Sequence, residues 1–123
     1  MNDSVDTAEL PVPIAWAHLA MLSRLEHGWN GHGASALAPT AIRVAKQIVQ
    51  LLAASTSTPA AVIPTNRGGI QLEWCAKGID IEVEIDRDGI ATIALDDEQG
   101  VFDAEGLLAD NWLLISKALR ELS

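Results

Sequence analysis

The residues of this sequence best suited to chemistry are carboxylates, and they are concentrated in one segment. Residues 79–98 hold eight acidic residues and one arginine, a net charge of −7, whereas residues 1–78 are neutral overall. The whole chain of 123 residues has a formal net charge of −9. Within the segment Asp80, Glu82 and Glu84 alternate with isoleucine and valine. This alternation is typical of a β-strand, which would place the three carboxylates on one face, about 6.8 Å apart along the strand.

A row of carboxylates without neighbouring cations favours the binding of a basic protein partner. The negative charge excludes direct binding to nucleic acid or to an anionic membrane surface, because both are themselves negatively charged. The alternative is a sheet face that is only solvated, although solvated faces usually mix charges of both signs. The residues that we predict to contact the partner are Glu73, Asp80, Glu82, Glu84, Asp86 and Asp88.

A second group of candidate residues lies in and beside the glycine-rich stretch of residues 28–36. Glu26, His27 and His32 are the side chains there that could bind a metal or transfer protons. Their spacing matches no zinc pattern and no further ligand is evident, so we interpret the stretch as a structural loop. A small enzyme or metal-binding protein that uses this loop stays an alternative. We predict no catalytic residue, no metal and no cofactor.

Three further features of the sequence resemble a calcium loop, a dinucleotide-binding turn and a reactive cysteine, and none supports the corresponding activity. Residues 84–89 place carboxylates as the start of an EF-hand loop does, but Leu95 stands where the last calcium ligand should be. Residues 31–36 fit the glycine spacing of a dinucleotide-binding turn, but a predicted helix precedes them instead of a strand. Cys75 is the only cysteine, which excludes an intramolecular disulfide, and we expect the neighbouring Glu73 to raise the pKa of its thiol.

The chain around these residues is predicted to begin with two helices. Residues 1–10 are polar and acidic without periodicity, so we expect a flexible N-terminus followed by a single domain over residues 11–123. The first helix starts after Pro13 and ends at Gly28, and the second starts at Pro39. The predicted buried faces are Ile14, His18, Met21, Leu22 and Leu25 in the first helix, and Ile42, Ala45, Ile48, Val49 and Leu52 in the second.

Strands are predicted to follow these helices. Residues 61–63 are a candidate edge strand, and alternation with a period of two predicts strands at 70–76, 79–86 and 90–95. A last helix is predicted to begin at Asp103, which would be its N-cap. The residues that this helix would bury are Leu108, Trp112, Ile115, Leu119 and Leu122. The order α-α-(β)-β-β-β-α predicts an α+β fold: an antiparallel meander sheet with helices on one face and the acidic residues on the opposite face.

Two segments resemble a known group of sequences. They are the loop Gly28-Trp29-Asn30-Gly31-His32-Gly33-Ala34 and the strand Gly68-Gly69-Ile70-Gln71-Leu72-Glu73-Trp74, which follows Pro64-Thr65. They resemble a family of small bacterial and phage proteins with a GW(D/N)G(Y/H)GA loop, a helix, a GG(I/V)QLEW strand and then an acidic strand. The similarity extends over roughly residues 19–90. The resemblance implies that Trp29 and Trp74 pack together, and it implies no activity. The residues to which it gives a structural role, in the loop and in the strand, are Gly28, Trp29, Asn30, Gly31, Gly33 and Trp74.

These observations predict a small acidic protein-binding module that is not an enzyme. The charge segregation favours an inhibitor of the antitoxin, immunity-protein or anti-defence (anti-CRISPR) type, with its acidic sheet face docked on a basic, nucleic-acid-handling partner. A structural or assembly component is a further alternative, and the oligomeric state is open. The N-terminus has neither the basic start nor the apolar run of an export signal, and no stretch approaches about 20 apolar residues. We therefore expect a cytoplasmic protein that does not enter the membrane.

Overall fold

The computed structural model describes residues 12–122, and the predicted flexible terminus at residues 1–10 lies outside them. Two helices precede a five-stranded antiparallel sheet, and a third helix follows it. The helices are α1 (Val12–Leu22), α2 (Pro39–Leu52) and α3 (Trp112–Glu121), and the strands are β1 (Ala61–Pro64), β2 (Ile70–Ala76), β3 (Ile79–Ile85), β4 (Ala91–Asp97) and β5 (Ala104–Leu107). The strands pair in sequence order, so the predicted α+β fold with a meander sheet is confirmed. Within residues 12–122, no helix has the length and apolarity needed to cross a membrane.

The central hairpin of the sheet follows directly from its residue pattern. In β3 every second residue is buried, from Ile79 to Ile85, and every acid between them is exposed. Lys77 and Gly78 join β2 to β3 in a two-residue turn, and both have positive φ angles, 55° and 78°. Such turns match the twist of the strands they connect. A shift of the pairing by one residue would bury the acids of β3, so pattern and turn specify the same register.

The helices and the buried side of the sheet form one apolar core. Helix α2 contacts β2 and β3, and α3 contacts β3. Pro39 occupies the first turn of α2, where its missing N–H has no helical partner to lose. The largest fully enclosed side chains are Leu19, Leu52, Ile70, Leu72, Ile81, Val83, Ile85, Ile115 and Leu119. The side of the sheet opposite to the helices is thereby left open.

Helix α1 differs from its prediction in its end and in its buried face. It ends at Leu22 and not at Gly28, and a series of hydrogen-bonded turns follows it. It buries Ala15 and Leu19, whereas the predicted core residue Met21 is 67% exposed. The residues predicted to be buried that are instead exposed are Ile14, His18 and Met21. The helix is apolar on nearly all sides, so its periodicity did not indicate which side contacts α2 and β1.

The predicted start of the last helix at Asp103 is wrong. Residues Ala104–Leu107 form β5, which pairs with β4, and a 3-10 helix at Leu108–Asn111 separates it from α3. Gly106 has a φ angle of 144°, which is incompatible with a helix and is open mainly to glycine. Pairing with β4 satisfies the backbone polar groups of this segment without a helix. The prediction of burial is confirmed for four residues of this region: Leu108, Ile115, Leu119 and Leu122.

Candidate docking surface on the open face of the sheet

The face of the sheet turned away from the helices, which we call the outer face, carries three rows of side chains that cross the strands. The strand registers align Glu73 with Glu82, Glu82 with Ala94, and Ala94 with Glu105. All residues of the outer face are exposed or half-buried. The middle row is Ala61, Glu73, Glu82, Ala94 and Glu105, one flanking row is Cys75, Asp80 and Asp96, and the other is Ile63, Gln71, Glu84, Thr92 and Leu107.

Two cross-strand pairs on the outer face join like charges. Glu73 is directly opposite Glu82, and Asp80 is directly opposite Asp96. Opposite charges at such positions stabilise a sheet, whereas like charges destabilise it, by up to about 1 kcal/mol for each pair. The side-chain amide of Gln71 donates to Oε1 of Glu73 at 2.5 Å, which gives that carboxylate one neutral partner. The fold therefore holds a concentration of negative charge on the outer face.

A shallow basin of about 910 Å³, which we call the acidic basin, lies over the most acidic part of the outer face. Six of the residues that line it carry carboxylates: Glu73, Asp80, Glu82, Asp96, Asp103 and Glu105. Among residues 12–122, the side chains that line it include no lysine, arginine or histidine. The small side chain of Ala94, between Glu82 and Glu105 in the middle row, also lines the basin. The basin is wide enough to admit several side chains of a partner.

The structure brings only part of the predicted contact set together. Glu73, Asp80 and Glu82 line the acidic basin, and Glu84 lies one row away on the outer face. Asp86 and Asp88 instead lie in the turn between β3 and β4. There Oδ1 of Asp86 accepts the backbone N–H groups of Asp88 and Ile90, both at 2.9 Å. Asp86 thus holds the hairpin, and a partner contact by Asp86 or Asp88 stays a prediction.

Three carboxylates of the acidic basin were missed by the sequence analysis. Asp96 continues the alternation of β4 and is paired with Asp80, so a longer strand prediction would have found it. Glu105 falls within the predicted last helix, so the sequence did not indicate its position on the outer face of β5. Asp103 directly precedes β5 and lines the basin at that edge of the sheet. No local signal places Asp103 and Glu105 there, because their position depends on the pairing of β5 with β4.

A buried carboxylate orders the connection from β4 to β5, which forms this edge of the basin. Asp97 is 8% exposed, and its Oδ1 accepts the N–H of Gln99 at 3.0 Å. Its Oδ2 accepts the N–H groups of Val101 and Phe102 at 3.1 and 3.2 Å. The backbone N–H of Asp97 in turn donates to Oδ1 of Asp103 at 2.9 Å. This network fixes the loop that leads into β5, and it thereby fixes the edge of the basin that this loop forms.

The thiol of Cys75 lies at the acidic basin and responds to its charge. Cys75 is exposed. Its hydrogen bond with the Asp80 carboxylate, together with the negative charges of Asp80, Glu73 and Glu98, raises the pKa of the thiol above its ordinary value. The predicted direction is therefore confirmed. A raised pKa leaves less of the nucleophilic thiolate at neutral pH, so this thiol is poorly suited to act as a catalytic nucleophile.

The glycine-rich loop contains the residues of the enzyme alternative. Glu26, His27 and His32 are all exposed. Nδ1 of His27 accepts the backbone N–H of Ala36 at 3.2 Å, which engages that nitrogen in a structural contact. Throughout the described part of the chain, no group of three or more His, Cys, Asp and Glu side chains could hold a metal ion. The loop therefore provides no observation on which a catalytic or metal-binding proposal can rest.

The two tryptophans of the resembling segments have separate hydrogen-bond partners. Trp29 is half-buried, and its Nε1 donates to the carbonyl of Ser35 at 2.8 Å within the same loop. Trp74 belongs to the core, and its Nε1 donates to the carbonyl of Thr58 at 3.1 Å in the connection between α2 and β1. Oδ1 of Asn30 accepts backbone N–H groups of the loop at 2.8 and 3.3 Å. These bonds close the loop on itself, and packing of Trp29 against Trp74 stays a prediction.

Comparisons with known proteins give no relative from which a role could be transferred: the chain matches no protein-family profile, no curated protein and no solved structure. Function must therefore be inferred from the geometry and charge of the outer face.

Proposed function

We propose that this protein is a small acidic protein-binding module, not an enzyme, that docks its outer face on a basic partner. The class that fits is an inhibitor such as an antitoxin, an immunity protein or an anti-defence (anti-CRISPR) protein, with a target that handles nucleic acid. One observation carries the proposal. Six carboxylates of the described residues converge on one basin whose lining holds no basic side chain.

Charge repulsion within the basin supports a cationic partner. The two residues of each pair, Glu73–Glu82 and Asp80–Asp96, lie on neighbouring strands at directly opposite positions, about one strand spacing or near 5 Å apart. At that distance two charges repel by about 0.8 kcal/mol in the dielectric of bulk water. A lysine or arginine placed between the members of a pair adds two attractions that outweigh this repulsion. The complex therefore offsets a repulsion that the free protein retains.

The same arrangement favours a partner whose basic surface normally binds nucleic acid. Such surfaces contact phosphates through lysine and arginine side chains and hydrogen-bond donors. A cross-strand array of carboxylates presents anionic oxygens to the same groups and would compete with phosphates for them. Association of opposite charges is accelerated at low ionic strength and slows as salt rises.

The proposal is tested by copurification with the tagged protein from its native host, at low and at moderate salt. We expect a basic, nucleic-acid-handling protein that is released as salt rises. The double variant Glu82→Lys, Glu84→Lys should associate with that protein about tenfold more slowly at low salt, because it reverses the steering charge on the outer face.

The matched control for this double variant is Glu26→Lys, Glu121→Lys, which makes the same change in net charge at exposed positions away from the outer face. Its association rate should fall much less. Unchanged binding of the outer-face variant, or an equal loss in the two variants, would overturn the proposed docking surface.

A further inference from the structure

An apolar hollow lies at the edge of the sheet beside the outer face. Its volume is about 370 Å³, and its lining is almost entirely apolar. Two of its side chains are well exposed for apolar residues, Ile90 at 54% and Leu107 at 47%. Side chains of this type become favourable contact points when another apolar group covers them. The lining residues are Ile90, Ala91, Leu107, Leu108, Ala109 and Trp112.

The hollow is continuous with the acidic basin along a single strand. Glu105 and Leu107 are successive outward positions of β5, since they pair with Ala94 and Thr92 of the outer face. Glu105 lines the basin, whereas Leu107 lines the hollow. Two such positions are about 6.8 Å apart. Because β5 is the last strand of the sheet, both side chains are open to an approaching chain.

We propose that the basic partner is recognised through an extended segment with a cationic side chain and, two residues away, an aliphatic side chain. The cationic group enters the acidic basin beside Glu105, and the aliphatic group covers Leu107 and Ile90 in the hollow. The proposal rests on the proposed function and specifies its partner. Successive same-side residues of an extended segment have the spacing of Glu105 and Leu107, so one segment reaches both sites without bending.

Charge complementarity decides between this partner and a second copy of the chain. A second copy has the same net charge of −9 and would bring another acidic face toward the first. Any chain that covers Leu107 lies within about two residues of Glu105, so its charge near the hollow must be positive or neutral. The charge sets the approach and the hollow then selects among basic segments, since buried apolar contacts supply the centre of most interfaces.

The test uses the full-length protein and two amidated heptapeptides. Both peptides have lysine at positions one, three and seven and threonine elsewhere, except that position five is leucine in one and serine in the other. Binding is measured at low salt by NMR titration of the labelled protein. We expect the leucine peptide to bind about tenfold more tightly than the serine peptide, and to shift the signals of Ile90, Leu107 and Trp112.

A matched pair of variants locates the effect. Leu107→Asp should abolish the preference for leucine without weakening the serine peptide, because the variant adds a negative charge while it removes the apolar contact. Leu113→Asp makes the same change at a leucine that is 77% exposed and does not line the hollow, and it should leave the preference intact. Ile90→Ser should reduce the preference without a change in charge.

The outcomes separate the two proposals. Equal binding of both peptides to the unaltered protein would overturn the hollow as an anchor site, while the docking role of the acidic basin would stand. An equal effect of Leu107→Asp and Leu113→Asp would overturn it as well. A dimer of the protein that Leu107→Asp dissociates would show that a second copy covers the hollow. Failure of both peptides to bind at low salt would overturn recognition through an extended segment, whereas the proposed function is refuted separately by copurification and by the charge-reversal variants.

Discussion

Removal of one charge from the centre of the outer face should stabilise the free protein. Glu82 is opposite Glu73, lies two residues from Asp80 and from Glu84 along β3, and is two strands from Glu105. From standard sheet dimensions the positions of these residues are about 5, 6.8, 6.8 and 9.6 Å away, and we use these distances for the charges. Asp80 and Glu84 stay close to Glu82 in the unfolded chain, so only the cross-strand repulsion from Glu73 and Glu105 counts toward stability. It is about 1.3 kcal/mol in the dielectric of water without salt. Screening with a Debye length near 8 Å reduces it to about 0.6 kcal/mol at physiological ionic strength.

We therefore expect Glu82→Gln to raise the free energy of unfolding by about 0.6 kcal/mol at physiological ionic strength. The gain should approach about 1 kcal/mol near 0.01 M salt and fall to about 0.2 kcal/mol near 1 M. Urea unfolding at the three salt concentrations measures it, since urea adds no ions. Glu26→Gln is the control, because this exposed loop residue lies away from the outer face, and its effect on the free energy of unfolding should be small and nearly independent of salt concentration.

The dependence on salt separates repulsion from other effects of the Glu82→Gln substitution. A gain that is the same at low and at high salt would refute electrostatic repulsion as its cause. A loss of stability at low salt would show that the carboxylates of the outer face do not repel one another appreciably. Stability gained together with weaker partner binding is the expected pattern for a residue retained for function.

Two further predictions concern the thiol and the glycine-rich loop. Asp80→Asn should lower the pKa of the Cys75 thiol, because it removes a hydrogen-bonded negative charge that raises this pKa. More thiolate then forms at pH 8, so reaction with an aromatic disulfide reagent should accelerate by about threefold or more. The control Asp110→Asn should leave the rate unchanged. A rate that Asp80→Asn does not alter would contradict the assigned cause. Asn30→Ala should destabilise the protein by about 1 kcal/mol through the loss of two accepted backbone hydrogen bonds, whereas His32→Ala should change stability by less than about 0.5 kcal/mol in thermal or urea unfolding. Similar losses in the two variants would contradict the structural role of the Asn30 amide.

The central part of the fold was predictable because local pattern and tertiary structure agree there. Alternation in β2 and β3 together with the short turn at Lys77-Gly78 specifies both the register and the side on which the acids lie. The amphipathic pattern of α2 correctly identified its buried residues, with Ala41 as an addition and Ile42 only half-buried. In each case one face of the element is clearly apolar, so a single assignment satisfies the local sequence and the core together.

The errors lie where more than one local assignment was compatible with the residues. Helix α1 is apolar on nearly all sides, so only contact with α2 and β1 selected Ala15 and Leu19 for burial. Residues 103–107 contain acids and a leucine that also suit the first turn of a helix. The local pattern carries no information on whether this segment pairs with another strand. Gly106 was the local evidence against that helix, since glycine weakens a helix by about 1 kcal/mol relative to alanine.

The amino-acid sequence by itself determines that this protein has a meander sheet with a carboxylate row along β3, because alternation with a period of two is a local property of the chain. It also determines the sign and the position of most of the charge. Only tertiary pairing turns that row into a basin, since it adds Asp96 of β4, Glu105 of β5 and Asp103, which precedes β5, and places Leu107 beside them. The physical reason is that cross-strand neighbours are brought together by backbone hydrogen bonds between separate strands, and the periodicity within one strand does not show which residues of another strand will lie opposite.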